Sequence, residues 1–179
     1  MHGPAGFKTL VLAVLVSGIV PSMPVRADTV PALTLQTLSG HAFRLPQDLH
    51  ARVTVLVIGF TQKSGSKGKL WTDRLDRAFA SDPDLAVLSV PIFDGVPAFI
   101  RPIVIAMMRV GVSPAERDHF ILSDHDEAEW RACVPYRGAD DVYILATDVC
   151  GAVLLRARGD FEEGAYQSVE TSIRRLLQE

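Results

Sequence analysis

The sequence contains only two cysteines and no cluster of basic residues. Two cysteines are too few for a small domain held together by several disulfides. A net charge of −3 without a basic patch excludes the electrostatic footprint of a nucleic-acid-binding protein. Hydrophobic residues make up 48% and charged residues 22% of the 179 residues, a composition that excludes intrinsic disorder. We therefore expect one globular domain with its own core.

Long apolar runs are also missing beyond residue 27, whereas a membrane-spanning helix needs about 20 such residues. The one notable run, Leu10–Val20, follows Lys8 and precedes two prolines and the small residue Ala27. A basic start, a short apolar run and a small residue at the cleavage position are typical of a secretory signal peptide. We expect cleavage near Ala27 and export to the periplasm or the medium, with residues 1–27 as signal peptide and 28–179 as the mature domain. An uncleaved anchor is the alternative.

Hydrophobic periodicity in the mature chain alternates between strands and helices. Val53–Phe60 and Leu85–Val90 are apolar runs typical of strands buried on both faces. Trp71 and Leu75 begin the apolar stripe of a helix. The other predicted elements are hairpins over 33–44 and 142–157, helices within 97–110, 124–133 and from 160 onward, and a strand near 120–122. This order predicts an α/β fold, namely a thioredoxin-like three-layer sandwich whose central mixed sheet carries an N-terminal edge hairpin.

Several of these segments resemble a known family. The residues that carry the resemblance are Val57–Ser64, Trp71, Val142–Leu145 and Gly151–Gly159. Together they are similar to the thioredoxin-fold family of the mitochondrial ATP synthase assembly factor numbered ten. The resemblance implies a thioredoxin fold, a role in assembling a membrane-embedded part of that enzyme, and no catalytic residues. With its predicted export signal, the chain is interpreted as an exported bacterial-type relative that lacks the redox Cys-x-x-Cys.

The loop after the first central strand is where a thioredoxin fold normally places its redox cysteines, at the start of the next helix. Here that loop contains Thr61, Ser64 and Ser66 and no cysteine. Thr61-x-x-Ser64 is similar to the peroxiredoxin Thr-x-x-Cys motif with serine in place of the nucleophile. Because a serine hydroxyl cannot form a sulfenic acid or a disulfide, redox chemistry is excluded at this position. We interpret the loop as a degenerate active site.

The two thiols, Cys133 and Cys150, match neither the C-x-x-C spacing nor a zinc-binding pattern. The predicted fold brings both toward the same end of the sheet, where an exported protein could join them in a disulfide. The alternative is that no disulfide forms, with one thiol buried and the other in a turn.

Metal and nucleotide sites find little support. His119, Asp124, His125 and Asp126 offer ligand atoms within eight residues, but acids at these positions also fit the start of a helix, with Asp124 as its cap. The segment near Gly65 fails the phosphate-binding G-x-x-x-x-G-K-[ST] pattern. We expect no metal, no nucleotide and no other cofactor.

The segment from residue 98 to 110 carries more apolar residues than one helix face can bury. Residues predicted to face the sheet are Phe99, Ile103, Ala106, Met107 and Val110. Val104, Ile105 and Met108 are predicted to face outward between Arg101 and Arg109. Apolar residues on an outward face indicate a surface for a protein partner, unless a neighbouring loop covers them.

Two classes of function remain open. The first is a non-catalytic exported protein that binds a membrane-associated protein complex or assists its assembly. The second is a thiol-disulfide oxidoreductase or peroxiredoxin-like enzyme that uses Cys133 and Cys150. The serine at position 64 favours the first class.

Overall fold

The computed structural model describes residues 28–179, and the predicted signal peptide lies outside them. The strands are β1 Thr34–Thr37, β2 Ala42–Arg44, β3 Val53–Gly59, β4 Leu85–Pro91, β5 Ile121–Leu122, β6 Val142–Thr147 and β7 Val153–Arg158. The helices are α1 Gln62–Ala78, α2 Arg101–Gly111, α3 Glu127–Cys133 and α4 Glu163–Leu176, with a 3-10 helix at Pro114–His119. The predicted order of elements is confirmed, and the 3-10 helix is an addition to it.

The strands form two hydrogen-bonded groups, one in the order β2-β1-β5 and the other in the order β4-β3-β6-β7. β4 runs parallel to β3, whereas β6 and β7 run antiparallel to their neighbours. β1 pairs antiparallel with β2 and with β5. Two parallel bridges, Ser89 with Phe120 and Ile92 with Ser123, set β5 beside β4. The predicted central mixed sheet with the N-terminal hairpin at its edge is therefore confirmed.

The central strand β3 has core on both faces, which explains its unbroken apolar run. Val55 and Val57 pack with Trp71 of α1 and Ile173 of α4. Residues of the opposite face pack with α3 and the N-terminal segment, including Val30, Leu56, Ile58, Trp130 and Leu145. Side chains alternate along a strand, so each face receives every second residue. The result is the predicted three-layer arrangement.

The start of α3 differs from the prediction. Asp124 does not cap this helix; the N-cap residue is Asp126, which has a left-handed backbone conformation with φ of 68°. The Glu127 N–H lies 3.4 Å from a carboxylate oxygen of Asp94, on the loop after β4. A residue distant in the sequence thus replaces the predicted local cap. No helix within residues 28–179 is both long and apolar enough to cross a membrane.

Candidate functional site

The degenerate active-site loop forms the first turn of α1, directly after β3. Thr61 is the N-cap residue, and its Oγ1 accepts a hydrogen bond from the Ser64 N–H at 3.1 Å. Ser64 Oγ in turn accepts one from the Thr61 N–H at 2.9 Å. This reciprocal pair is a capping box, which satisfies two otherwise unpaired donors of the helix terminus. Ser64 therefore serves the helix end.

Ser64 has no solvent-exposed surface, and its hydroxyl also lies 3.0 Å from the Thr61 carbonyl oxygen, to which it donates. Its donor and its accepting oxygen are both engaged within one helical turn. A serine nucleophile needs a free hydroxyl beside a general base, and Ser64 meets neither condition. Ser66 is exposed and donates to the Gln62 carbonyl oxygen at 2.9 Å. The structure thus joins Thr61 to Ser64 and leaves Ser66 apart.

A carboxylate that the sequence analysis missed completes the site. Asp140 lies on the loop before β6 and accepts a hydrogen bond from Thr61 Oγ1 at 2.9 Å. It also forms an ion pair with Lys63, whose Nζ lies 3.0 Å from the Asp140 carboxylate. Both contacts lower the pKa of Asp140 below its ordinary value, and the hydrogen bond from Lys63 has the larger effect. The positive end of a helix favours an anion in this position. Since 79 residues separate Thr61 from Asp140, no local pattern could have indicated the pair.

Tyr143 of β6 orders the loop that carries Asp140. Its buried hydroxyl accepts hydrogen bonds from the N–H groups of Arg137 and Gly138 at 2.9 and 3.0 Å. It donates to the Gly138 carbonyl oxygen at 2.8 Å. The ring packs at 5.6 Å from Phe60, which directly precedes the helix cap. One side chain therefore connects the sheet, the 137–141 loop and the start of α1.

Both thiols lie at the far end of the sheet from this site. Strand β6 pairs antiparallel with β3, so that Thr147 lies beside Thr54 and Val142 beside Gly59. Cys150, in the turn after β6, is therefore separated from the α1 terminus by the length of β3, about 20 Å at 3.3 Å per residue. Cys133 lies toward the same end, because its thiol donates to the Thr29 carbonyl oxygen at 3.3 Å and Thr29 pairs with Ala152.

The disulfide that the sequence left open is not formed in the structure, where both cysteines are free. Cys133 is buried, and burial raises the pKa of its thiol, which disfavours the reactive thiolate. Cys150 is exposed, and its backbone N–H donates to Asp148 Oδ1 at 2.9 Å. Neither environment resembles the electropositive helix terminus that activates a redox cysteine.

The side chains weighed as metal ligands bond to one another. His125 Nδ1 lies 2.5 Å from a carboxylate oxygen of Asp124, and its Nε2 lies 3.0 Å from one of Asp126. The Asp124 hydrogen bond is the main cause of the raised pKa of His125. His119 ends the 3-10 helix and forms no ion pair with this group among the described residues. Within residues 28–179, no group of three or more ligating side chains is placed to hold a metal ion.

The predicted orientation of α2 is wrong. Val104, Ile105 and Met108, expected to face outward, pack against the buried cluster of Leu38, Phe93 and Leu122. The physical reason is that α2 has two apolar faces, and its contacts with the chain after β1, the segment after β4 and strand β5 select which one is buried. A periodic pattern identifies an amphipathic helix but cannot choose between two apolar faces.

The two arginines of the predicted partner surface also turn back to the domain. Arg101 Nε donates to the Val96 carbonyl oxygen at 2.8 Å, and its Nη1 pairs with Asp124 at 3.4 Å. Arg109 Nε donates to the Leu38 carbonyl oxygen at 2.8 Å. All five residues of that predicted surface therefore contact the domain itself. The residues predicted to face the sheet, including Phe99 and Val110, are instead exposed.

Comparison with known proteins supports this fold. No protein-family model and no curated protein sequence matches the chain. Among solved structures, it is similar to a protein assigned as the thiol:disulfide interchange protein DsbE from Chlorobium tepidum, with 16% identity and a TM-score of 0.58 over 85% of this chain and 97% of that one.

Two further structures have the same arrangement. BsSco, a member of the Sco family of cytochrome c oxidase assembly proteins, matches with 14% identity and a TM-score of 0.55 over 88% of this chain and 98% of that one. The exposed lipoprotein thioredoxin of Streptococcus pneumoniae matches with 15% identity and a TM-score of 0.52 over 79% and 98%. The chain therefore has a thioredoxin-like fold, as predicted. In this fold the α1 terminus carries a buried capping serine, Ser64, at the position where a thioredoxin fold normally places a redox thiol.

Proposed function

We propose that this protein is a non-catalytic, exported thioredoxin-like protein that binds a membrane-associated protein complex and assists its assembly. The observation that carries the proposal is the state of Ser64, which is fully buried with its hydroxyl engaged in a capping box. A helix cap stands in place of the reacting sulfur of a redox site, so this terminus offers no thiol chemistry, and binding is the mode of action that we propose. Asp140 and Lys63 form an ion pair beside this helix cap.

Two likenesses support an assembly role. BsSco is named as a member of a family of cytochrome c oxidase assembly proteins and shares the fold. The ATP synthase assembly factor family is the second likeness, and it rests on residues 57–64, 142–145 and 151–159. Both names refer to the assembly of an enzyme, and a membrane-associated enzyme complex is the partner class that we propose here. The partner surface that the sequence predicts between Arg101 and Arg109 is not part of the proposal, because both arginine side chains donate to the domain's own backbone.

The second candidate function is thiol-disulfide exchange through Cys133 and Cys150. It is favoured by the thiol:disulfide interchange name of one structural neighbour. The environments of the two thiols disfavour it, since Cys133 is buried with a raised pKa and lies far from the usual site. A thiol assay separates the two candidates.

In that assay we expect no catalysis. The wild-type protein should reduce no insulin disulfides and consume no peroxide beyond stoichiometric oxidation of free thiol, because Cys133 is buried with a raised thiol pKa and Cys150 lies far from the α1 terminus that would activate a redox thiol. Cys150→Ser should remove the single exposed thiol detected by a thiol reagent in the native protein, and Cys133→Ser should leave it unchanged. Multiple turnovers that disappear in either variant would establish the oxidoreductase instead.

In its native host we expect the mature protein to begin at Asp28 and to be captured with a membrane complex. N-terminal sequencing of the exported protein tests the cleavage expected from the signal-peptide pattern. A mature protein that begins at Met1 contradicts cleavage.

Crosslinking in intact cells, followed by purification from the membrane fraction, tests the partner. A crosslinked product that contains no subunit of a membrane complex contradicts the assembly role.

A further inference from the structure

A short segment of the chain lies against the buried thiol of Cys133. We call this segment, residues 28–30, the strap. Cys133 is 1% exposed, and its thiol donates to the Thr29 carbonyl oxygen at 3.3 Å. Val30 belongs to the same apolar cluster as Cys133, whereas Asp28 and Thr29 are exposed to solvent. On this side, a single strand of chain therefore separates the thiol from solvent.

Few interactions hold the strap in place. The Val30 N–H donates to the Gly151 carbonyl oxygen, and the Val153 N–H donates to the Asp28 carbonyl oxygen, both at 2.8 Å. Val30 is the one buried side chain of the strap. In the mature protein that we expect, the strap is also the end of the chain. A chain end held by few contacts opens locally at a smaller cost in free energy than global unfolding.

Arg156 of β7 lies beside both the thiol and the strap. Its Nε donates to the Cys133 carbonyl oxygen at 3.0 Å, and its Nη2 lies 3.9 Å from the Asp28 carboxylate. Burial is the main cause of the raised pKa of Cys133, which Arg156 lowers and Glu129 raises further. Release of the strap would end the burial and withdraw Asp28, while Arg156 stays on the sheet. The released state therefore favours the thiolate, the reactive form of cysteine.

We propose that the strap is a redox-sensitive device whose release uncovers Cys133 for exchange with a small soluble disulfide, and that the mixed disulfide then keeps the strap from closing. In the exchange, the Cys133 thiolate attacks one sulfur of oxidised glutathione, and the S–S bond of that molecule breaks. A new S–S bond joins Cys133 to one glutathione. The other glutathione leaves as a thiolate and takes up a proton, which balances the proton that Cys133 has lost.

The closed strap leaves no room for this product. The thiol is in direct hydrogen-bond contact with Thr29, and Cys133 has almost no exposed surface. A second sulfur bonded about 2 Å from Sγ, with a peptide attached to it, needs the space that the strap occupies. The modified protein should therefore keep its sheet and lose the strap contacts until a reducing thiol reverses the exchange. Oxidising compartments outside the cytoplasm, where we expect the protein, allow such disulfides to persist.

Thiol labelling of the purified exported protein tests the release. In a Cys150→Ser background, a chromogenic aromatic disulfide reports on Cys133 alone. We expect a slow reaction without denaturant, at a rate nearly independent of low urea concentrations, because release of three residues exposes little surface. A rate that depends on urea as steeply as global unfolding does would overturn the proposal.

Val30→Ala and Val169→Ala form a matched pair of variants. Both side chains are buried, at 4% and 5% exposure, and Val169 of α4 belongs to the core on the opposite face of the sheet. Both variants should lower Tm, because each removes the same buried methyl groups. Only Val30→Ala should accelerate the labelling of Cys133, by about 10-fold. Equal acceleration in both variants would show that the thiol reacts through global unfolding.

Oxidised glutathione tests the second half of the proposal. We expect Cys133 in the Cys150→Ser protein to gain a single glutathione by mass spectrometry, faster in Val30→Ala. Hydrogen exchange of the Val30 and Val153 N–H groups should then become fast, while the amides of β3 stay protected. A protein that gains no glutathione, modified protein with both strap amides still protected, or loss of protection throughout the sheet would each contradict the proposed device.

The device is independent of the proposed function. Exchange at Cys133 is stoichiometric and needs no partner, so that a failed partner capture leaves it standing. Failure of the labelling experiments would likewise leave the assembly role standing.

Discussion

Gly151→Ala is expected to lower the free energy of unfolding by about 3 kcal/mol, the sum of a backbone and a packing cost. Gly151 has φ of +80°, a conformation that L-residues rarely adopt. An added Cβ would also lie 2.7 Å from Pro46 Cβ and 2.8 Å from Val30 Cγ2. The backbone there is held by the hydrogen bond from the Val30 N–H to the Gly151 carbonyl oxygen at 2.8 Å, so the turn cannot move away freely.

Thermal unfolding gives the measurement. For a domain of this size, about 3 kcal/mol corresponds to a fall in Tm of roughly 6–12 °C. Gly159→Ala is the control, because Gly159 also has a positive φ of +121° but its added Cβ meets nothing within 4 Å. It should cost about 1–2 kcal/mol, from backbone strain alone. Equal losses in the two variants would show that close packing around Gly151 contributes nothing.

Tyr143→Phe is expected to lower the free energy of unfolding by about 2 kcal/mol and to release the loop that carries Asp140. The change removes one oxygen atom and leaves the N–H groups of Arg137 and Gly138 and the Gly138 carbonyl oxygen without their partner. Unpaired backbone groups next to the core are costly. We expect a Tm lower by roughly 4–8 °C for a domain of this length.

The structural consequence can be followed at two amides. Hydrogen exchange of the Arg137 and Gly138 N–H groups should become faster in Tyr143→Phe, since their acceptor is gone. Tyr136→Phe is the matched control, because Tyr136 stacks at 5.7 Å on Tyr143 while its hydroxyl forms no hydrogen bond within the described chain. It should leave Tm and both exchange rates nearly unchanged. Unchanged exchange in Tyr143→Phe would mean that the loop is ordered by other contacts.

Several parts of the site depended on information that local sequence patterns do not carry. The absence of a redox thiol could be predicted from the sequence alone. The predicted strand β3 and the helix after it identify the loop between them as the usual redox position, and that loop contains no cysteine. The role of Ser64 as a cap required the structure, although the Thr61-x-x-Ser64 spacing is compatible with a capping box. Asp140 could not be found at all, since its contact with Thr61 joins residues 79 positions apart.

Helix α2 shows most clearly where sequence and tertiary structure divide. Periodicity alone indicated a helix within residues 97–110 with apolar residues on two sides, and unbroken apolar runs indicated the strands β3 and β4. Which side of α2 is buried was decided by tertiary packing, because Leu38, Phe93 and Leu122 meet only after β1, β4 and β5 have come together. A local pattern reports the angle between residues on one helix, whereas burial depends on where the rest of the chain lies. The exposure of the apolar residues Phe99, Ile103, Met107 and Val110 is therefore a property of the folded protein.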